Sequence, residues 1–256
     1  SLDSPVLISR LVQIAIRALT CRNIEQIVNR VTLTDEQLRT LAQWLQTYTD
    51  KDGYRKALIG ERCFGLQSFR TPGSISSDIG EGKILSALLV PMKIVGLHDR
   101  DMLSYINLMQ DYIDALDLPL SEGLAAYEAI IEEFRKGNRA YLLTNILMPA
   151  LKRSYQLEIR HVADRRVAHT ALAIERYRLA QGRLPQALGE LVPSYLNAVP
   201  ADPFDGQALR FSLLVQGYVV YSIGEDGSDD GGTERNRESR HPDGTPKFDV
   251  TFFVER

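Results

Sequence analysis

Apolar residues recur at helical spacing through roughly the first 180 positions and then switch to strand-like alternation. Leu7, Leu11, Ile14, Ala15, Ala18 and Leu19 line one face of a helix predicted over residues 5–30. Thr34 opens a second helix. Gln37 stands three residues on, as a capping box requires, and Leu33 can staple against Leu38. That helix is predicted to stop in the polar stretch 49–53. Residues 70–83 read as a Gly/Ser-rich loop. Helical patterns resume over 84–96, 99–116 and 121–136, with Gly137 as a C-cap. A helix over 139–148 meets Pro149, which is expected to kink or end it. Residues 152–181 then form a long helix of roughly 45 Å. Val162, Ala163, Val167, Ala171, Ile174 and Tyr177 make its apolar stripe, Gly182 ends it and Pro185 follows.

Beyond that helix Leu209, Phe211 and Leu213 alternate with other side chains. Tyr218 to Ile223 and Phe248 to Val254 are rich in β-branched and aromatic residues. Three short antiparallel strands are expected. The fold class is therefore α+β: an all-α helical domain over 1–150, then a long helix packed on a small antiparallel sheet over 151–256.

Composition narrows the function classes. The hydrophobic share of 44% and charged share of 25% are those of a folded protein. A net charge of −3 gives no global attraction to nucleic acid, which is not expected as a partner. No run reaches the roughly 18 apolar residues of a membrane span. The chain opens on Ser1-Leu2-Asp3, which leaves room for an upstream membrane anchor. Cys21 and Cys63 are expected to be small buried hydrophobes, with a disulfide as the alternative.

The last hundred residues carry several short motifs in order. The long helix ends in Ala173-Ile174-Glu175-Arg176-Tyr177-Arg178 and, further on, Gly182-Arg183-Leu184-Pro185. Pro200-Ala201-Asp202-Pro203-Phe204-Asp205-Gly206 follows, and then Tyr221-Ser222-Ile223-Gly224-Glu225-Asp226-Gly227. This series resembles the globular domain of the major pseudopilins of type II secretion. The family begins with an apolar segment of about twenty residues. Here the equivalent helix starts at Leu151-Lys152-Arg153-Ser154, which is too polar to span a bilayer, and a helical domain precedes it. The resemblance implies a related fold and a related calcium loop, not the same filament role.

The acidic loop has its own chemistry. Glu225, Asp226, Asp229 and Asp230 fall within six residues that contain no Lys or Arg. Ca²⁺ takes six to eight oxygen ligands and mixes carboxylates with carbonyls. Asp226, Asp229 and Asp230 are the expected carboxylate ligands, and Ile223 and Ser228 the expected carbonyl donors. Asp226-x-Ser228-x-Asp230-Gly231 matches the first half of an EF-hand loop, but Arg237 stands where the bidentate Glu belongs. A solvated acidic turn is the competing reading. The Asp202 to Gly206 turn reads as structural.

Catalytic patterns are weak. Glu158 and His161 form one E-x-x-H pair on a helix, and Glu238 and His241 another in a polar loop, which does not make a di-iron site. A surface ion pair or chance spacing is the expected reading of the first. Ser74 and Ser76 do not sit in G-x-S-x-G, and Cys63 has no His nearby in sequence. Glu132 and Glu133 point about 100° apart. The expected function is that of a non-enzymatic, periplasmic or cell-surface protein whose partners are proteins, secretion or pilus-like components among them. The alternatives are an enzyme with its site in the helical domain or at the domain interface, and a small-ligand binder using the helices beside the loop at 70–83.

Overall fold

The periodic apolar residues near the N-terminus form α1 (Leu7–Arg30). The predicted capping box forms at the start of α2 (Asp35–Thr47): the Thr34 N–H donates to Gln37 Oε1 at 2.9 Å, and the Gln37 N–H donates to Thr34 Oγ1 at 3.3 Å. In this computed structural model the described residues are 6–47, 51–70, 91–137, 140–234 and 248–256. The Gly/Ser-rich loop and the helix expected over 84–96 lie largely outside them, as does the Glu238–His241 pair.

Further helices follow among the described residues. The α3 helix (Lys51–Arg70) occupies residues that the sequence reading left unassigned. Its four-residue-spaced Tyr54, Leu58 and Gly65, Phe69 are buried, but three glycines and scattered polar residues blur the pattern. The α4 helix (Leu97–Ala115) and α5 helix (Leu120–Gly137) fall where the periodicity puts them. Then α6 runs unbroken from Leu142 to Gln181, 40 residues. Pro149, expected to kink or end a helix, does not end this one. A proline removes one helical N–H, about 3 kcal/mol in an isolated helix. Burial of Leu143, Met148, Leu151 and Tyr155 on either side offsets that cost. Asp101, fully buried on α4, secures the start of α6: its carboxylate accepts the Leu143 and Thr144 N–H groups at 3.0 and 3.2 Å.

The sheet has the order β1 (Arg210–Leu213), β2 (Tyr218–Ser222), β3 (Val250–Val254), with both pairings antiparallel. The fold class is α+β.

Contacts divide the chain into two compact units. One contains residues 1–12 and 51–155, the other 13–50 and 156–256. Residues 13–50 thus group with the C-terminal part, whereas the sequence reading placed the division near 150.

The first unit is held by tyrosines. Tyr127 stacks on Tyr155 with ring centroids 3.9 Å apart and lies 4.3 Å from Tyr112. Its hydroxyl donates to the Tyr112 carbonyl at 2.9 Å. Gly65 and Gly123 leave the room for two of these rings. A Cβ on Gly65 would stand 2.0 Å from the Tyr105 hydroxyl oxygen, and one on Gly123 2.0 Å from that of Tyr155.

In the second unit the apolar stripe of α6 (Val167, Ala171, Leu172 and Ile174) packs with Tyr218, Val220, Phe252 and Val254 of the sheet and with Ile24 and Val28 of α1. The α1 helix also closes the sheet edge. Glu25 Oε1 accepts the Phe253 N–H at 2.7 Å, Asn29 Nδ2 donates to the Phe253 carbonyl at 2.7 Å, and Asn29 Oδ1 accepts the Glu255 N–H at 2.9 Å. Two side chains one helical turn apart do for β3 what another strand would do, so the edge is not left open. Glu175, 1% exposed, accepts from Arg178 at 2.5 Å, from Arg256 at 2.7 Å and from the Tyr218 hydroxyl at 3.1 Å. The helix, the sheet and the last residue of the chain are joined at that carboxylate.

Candidate functional site

The acidic loop leaves β2 at Ser222 and returns toward β3. Its backbone turns at Gly224, Gly227, Gly231 and Gly232, each with positive φ. Gly224 also has no space for a side chain, since a Cβ would meet the Phe248 carbonyl oxygen at 2.9 Å.

The expected metal ligands are placed as follows. Asp226 is half-buried, and its Oδ1 accepts the Ser228 N–H at 3.2 Å. Asp229 is exposed, and its Oδ1 accepts the Gly231 N–H at 3.0 Å. These are side chain-to-backbone turns two residues long. Asp230 is half-buried, and its carbonyl accepts the Thr233 hydroxyl at 2.6 Å. Ile223 is buried with its N–H on Asp202, and Ser228 is half-buried. Among the described residues no group of three or more His, Cys, Asp or Glu side chains is arranged to hold a metal ion. The donor types suit Ca²⁺, but in this conformation the Asp226 and Asp229 carboxylates each accept a backbone N–H of the loop.

Two carboxylates that sequence reasoning did not assign to the loop organise it. Asp249, 2% exposed at the start of β3, accepts the Gly232 N–H at 2.7 Å, the Thr233 N–H at 3.1 Å and the Asp230 N–H at 3.4 Å. Burial raises its pKa against the lowering effect of those bonds. Asp202, 1% exposed in the Pro-Ala-Asp-Pro turn, anchors the other end. Its Oδ1 accepts the Phe204 N–H at 2.9 Å and the Ser222 hydroxyl at 2.8 Å. Its Oδ2 accepts the Ile223 N–H at 2.9 Å and an Arg210 N–H at 2.7 Å. The turn that read as merely structural in sequence is thereby tied to the entrance of the acidic loop.

Residues 225–230 contain no Lys or Arg, yet the fold brings two arginines to their carboxylates. Arg210 of β1 pairs with Asp202 and Asp205 and approaches Asp229 to 3.6 Å. Arg160 of α6 lies 3.6 Å from Glu225. Part of the neutralisation that the sequence assigns to a metal comes from these two arginines. Burial works against ionised Asp205, but the hydrogen bonds and charge of Arg210 outweigh it and hold its pKa low.

The other sequence candidates separate. Glu158 and His161 are buried, 8% and 4% exposed, so a surface position is corrected for both, and chance spacing is left as the other expected reading. Cys21 is buried and Cys63 exposed, both as free thiols, so burial holds for the first only. Burial and then nearby Asp164 push the Cys21 thiol up to about 12, which makes it inert as a nucleophile at neutral pH. Glu132 and Glu133 are both exposed on α5. No helix among the described residues is long and apolar enough to cross a membrane.

Each unit has a cavity. In the first, about 510 Å³ is lined by Phe69, Arg70, Lys93, His98 and neighbouring residues, next to the ends of the segment 71–90. His98 there donates from Nε2 to the Phe69 carbonyl at 3.1 Å. In the second, about 110 Å³ lies among residues of α2, α6 and the segment around Tyr195.

Comparison of the chain with protein-family models, with curated proteins and with solved structures gave no match.

Proposed function

We propose that the chain is a non-enzymatic, extracytoplasmic assembly or interaction protein. Its C-terminal part is a pseudopilin-like module, and Ca²⁺ is the ligand of its acidic loop. The observation that carries this reading is a loop of four positive-φ glycines with three aspartates. It is slung between β2 and β3 beside Arg160, midway along α6, and Asp202 and Asp249 each hold part of it. Asp226, Asp229 and Asp230 would supply carboxylate oxygens, and Ile223 and Ser228 carbonyls. A hard divalent cation would relieve the mutual repulsion that the two arginines leave. Partners are then proteins of a secretion or pilus-like system.

The test is calorimetry and thermal melting of the full chain stripped of metal. Added Ca²⁺ should bind and raise the melting temperature, since ligand at 100 times its Kd adds about 2.7 kcal/mol. Asp226→Ala should remove most of the effect. The absence of both heat and stabilisation in the stripped protein would defeat the reading.

A further inference from the structure

The smaller cavity has an unusual lining for its size. Arg39, Gln43 and Gln46 come from α2, His169 and Arg176 from α6, and Tyr195 from the segment after the 3₁₀ turn. Nearly every polar group on this list is a donor or can act as one. Asp35 fixes the two arginines from one side. Its Oδ2 accepts from Arg39 Nη2 at 2.6 Å, and its Oδ1 accepts from Arg176 Nε at 2.7 Å.

A guanidinium has five N–H donors, and Asp35 engages one nitrogen of each. Among the described residues, both Nη groups of Arg176 and the Nη1 and Nε of Arg39 make no other hydrogen bond, and neither does the Gln43 amide. Arg176 is further held by the Tyr195 ring, with its guanidinium carbon 5.3 Å from the ring centroid. Arg176, held by both Asp35 and the Tyr195 ring, needs little further ordering to bind an acceptor, and Arg39 is oriented toward the same place by Asp35.

The charge and the volume indicate what kind of acceptor. Two arginines against Asp35 leave one positive charge. His169 adds none at neutral pH, because burial first, then Arg165 and Arg176, lower its pKa. A single-charge anion is matched and a dianion is not. A volume of about 110 Å³ holds a few waters, or one small planar oxyanion with a short apolar stem against Ala42 and Ala173. Guanidinium groups pair with a carboxylate through two parallel N–H bonds.

We propose that this cavity is a carboxylate-binding site, in which Arg39 and Arg176 pair with the carboxylate of a small organic acid or of a peptide terminus. This site is separate from the acidic loop, and its test does not depend on calcium.

The experiment uses the full chain and follows the side-chain N–H resonances of Arg176 and the His169 ring by NMR, with calorimetry alongside. Acetate is the first probe. Acetamide is its neutral isostere and inorganic phosphate the dianion control. Acetate should shift these resonances saturably, and acetamide should not. Phosphate should bind more weakly than acetate. Gln43 is exposed on α2, so Gln43→Glu preserves the fold while placing a like charge at the mouth. It should weaken acetate binding by about tenfold or more. A peptide with a free C-terminus, compared with its amidated form, separates the two sources. Binding of the free acid tighter than acetate assigns the site to peptide termini, and binding no tighter assigns it to small acids. Equal shifts from acetate and acetamide, tighter binding of phosphate, or acetate binding unchanged in Gln43→Glu would overturn the proposal.

Discussion

Removing the Asp202 carboxylate should loosen the whole junction between the Pro-Ala-Asp-Pro turn, β2 and the acidic loop. In Asp202→Ala four donors lose their acceptor: the Phe204 and Ile223 N–H groups, the Ser222 hydroxyl and one N–H of Arg210. Phe204 is half-buried and can turn to water, and Arg210 keeps Asp205. The Ile223 N–H and the Ser222 hydroxyl are buried and have no such recourse. Leaving a buried donor unsatisfied costs about 1–3 kcal/mol each, and breaking a buried ion pair about 3–5 kcal/mol. Because Arg210 is only half-buried and retains Asp205, the ion-pair cost does not apply in full, and the two buried donors alone set a net loss of about 2–6 kcal/mol. Asp202→Asn keeps one carbonyl acceptor and should lose roughly half as much. Native-state hydrogen exchange is the appropriate assay, since two compact units need not unfold together. The Ile223 amide should lose protection in Asp202→Ala, while buried amides of α4 and α5 keep theirs. Ile223 protection unchanged from the parent protein would refute the reasoning, because it would mean that the carboxylate is not what satisfies this N–H.

Gly123→Ala places a methyl group 2.0 Å from the Tyr155 hydroxyl oxygen and should destabilise the first unit by about 1–3 kcal/mol in thermal melts. The next ring atom is 3.1 Å away, so adding Tyr155→Phe should recover most of that loss; a double variant no better than the single one would contradict the packing argument. Asn29→Ala removes two bonds to the edge of β3, and about 1–2 kcal/mol should be lost with faster exchange of the Glu255 amide; unchanged exchange there would show that the edge is not held this way. Burial, against the attraction of Arg160 and Arg22, raises the Asp164 pKa from the ordinary 3.8 to about 6. A raised carboxyl pKa favours folding while protonated, so this group's contribution declines as pH rises from about 4 to about 6 and stays low above that. Asp164→Asn should flatten that part of a urea-measured stability profile, and an unaltered slope would count against the assignment.

The boundaries of α1, α2, α4, α5 and the three strands were legible from periodicity, and the capping box at Thr34 and Gln37 from two residues alone. Gly182 takes positive φ and ends α6 as expected, with its N–H on the Arg178 carbonyl at 2.9 Å. The α3 helix escaped notice because its glycines interrupt the pattern. They are there, at Gly65 at least, to admit a tyrosine from another helix. Pro149 was read by its local cost, which neighbouring buried residues outweigh.

The candidate site divided in the same way. Its glycines and aspartates announced a tight acidic turn, since both signals lie within a dozen residues. Asp249 and Asp202 did not stand out, because a lone Asp in a strand or turn has no sequence mark of what it will accept from 17 or 21 residues away.

By itself the sequence determined α1, α2, α4, α5, the three strands and the acidic character of the loop, because caps, turns and burial stripes act between residues a few positions apart. Only the tertiary structure decided that α1 would seal the edge of β3, that Arg160 and Arg210 would flank the loop's carboxylates, and that Arg39 and Arg176 would share Asp35. Such pairings join groups up to 228 residues apart, and their energy depends on burial and geometry that no local pattern encodes.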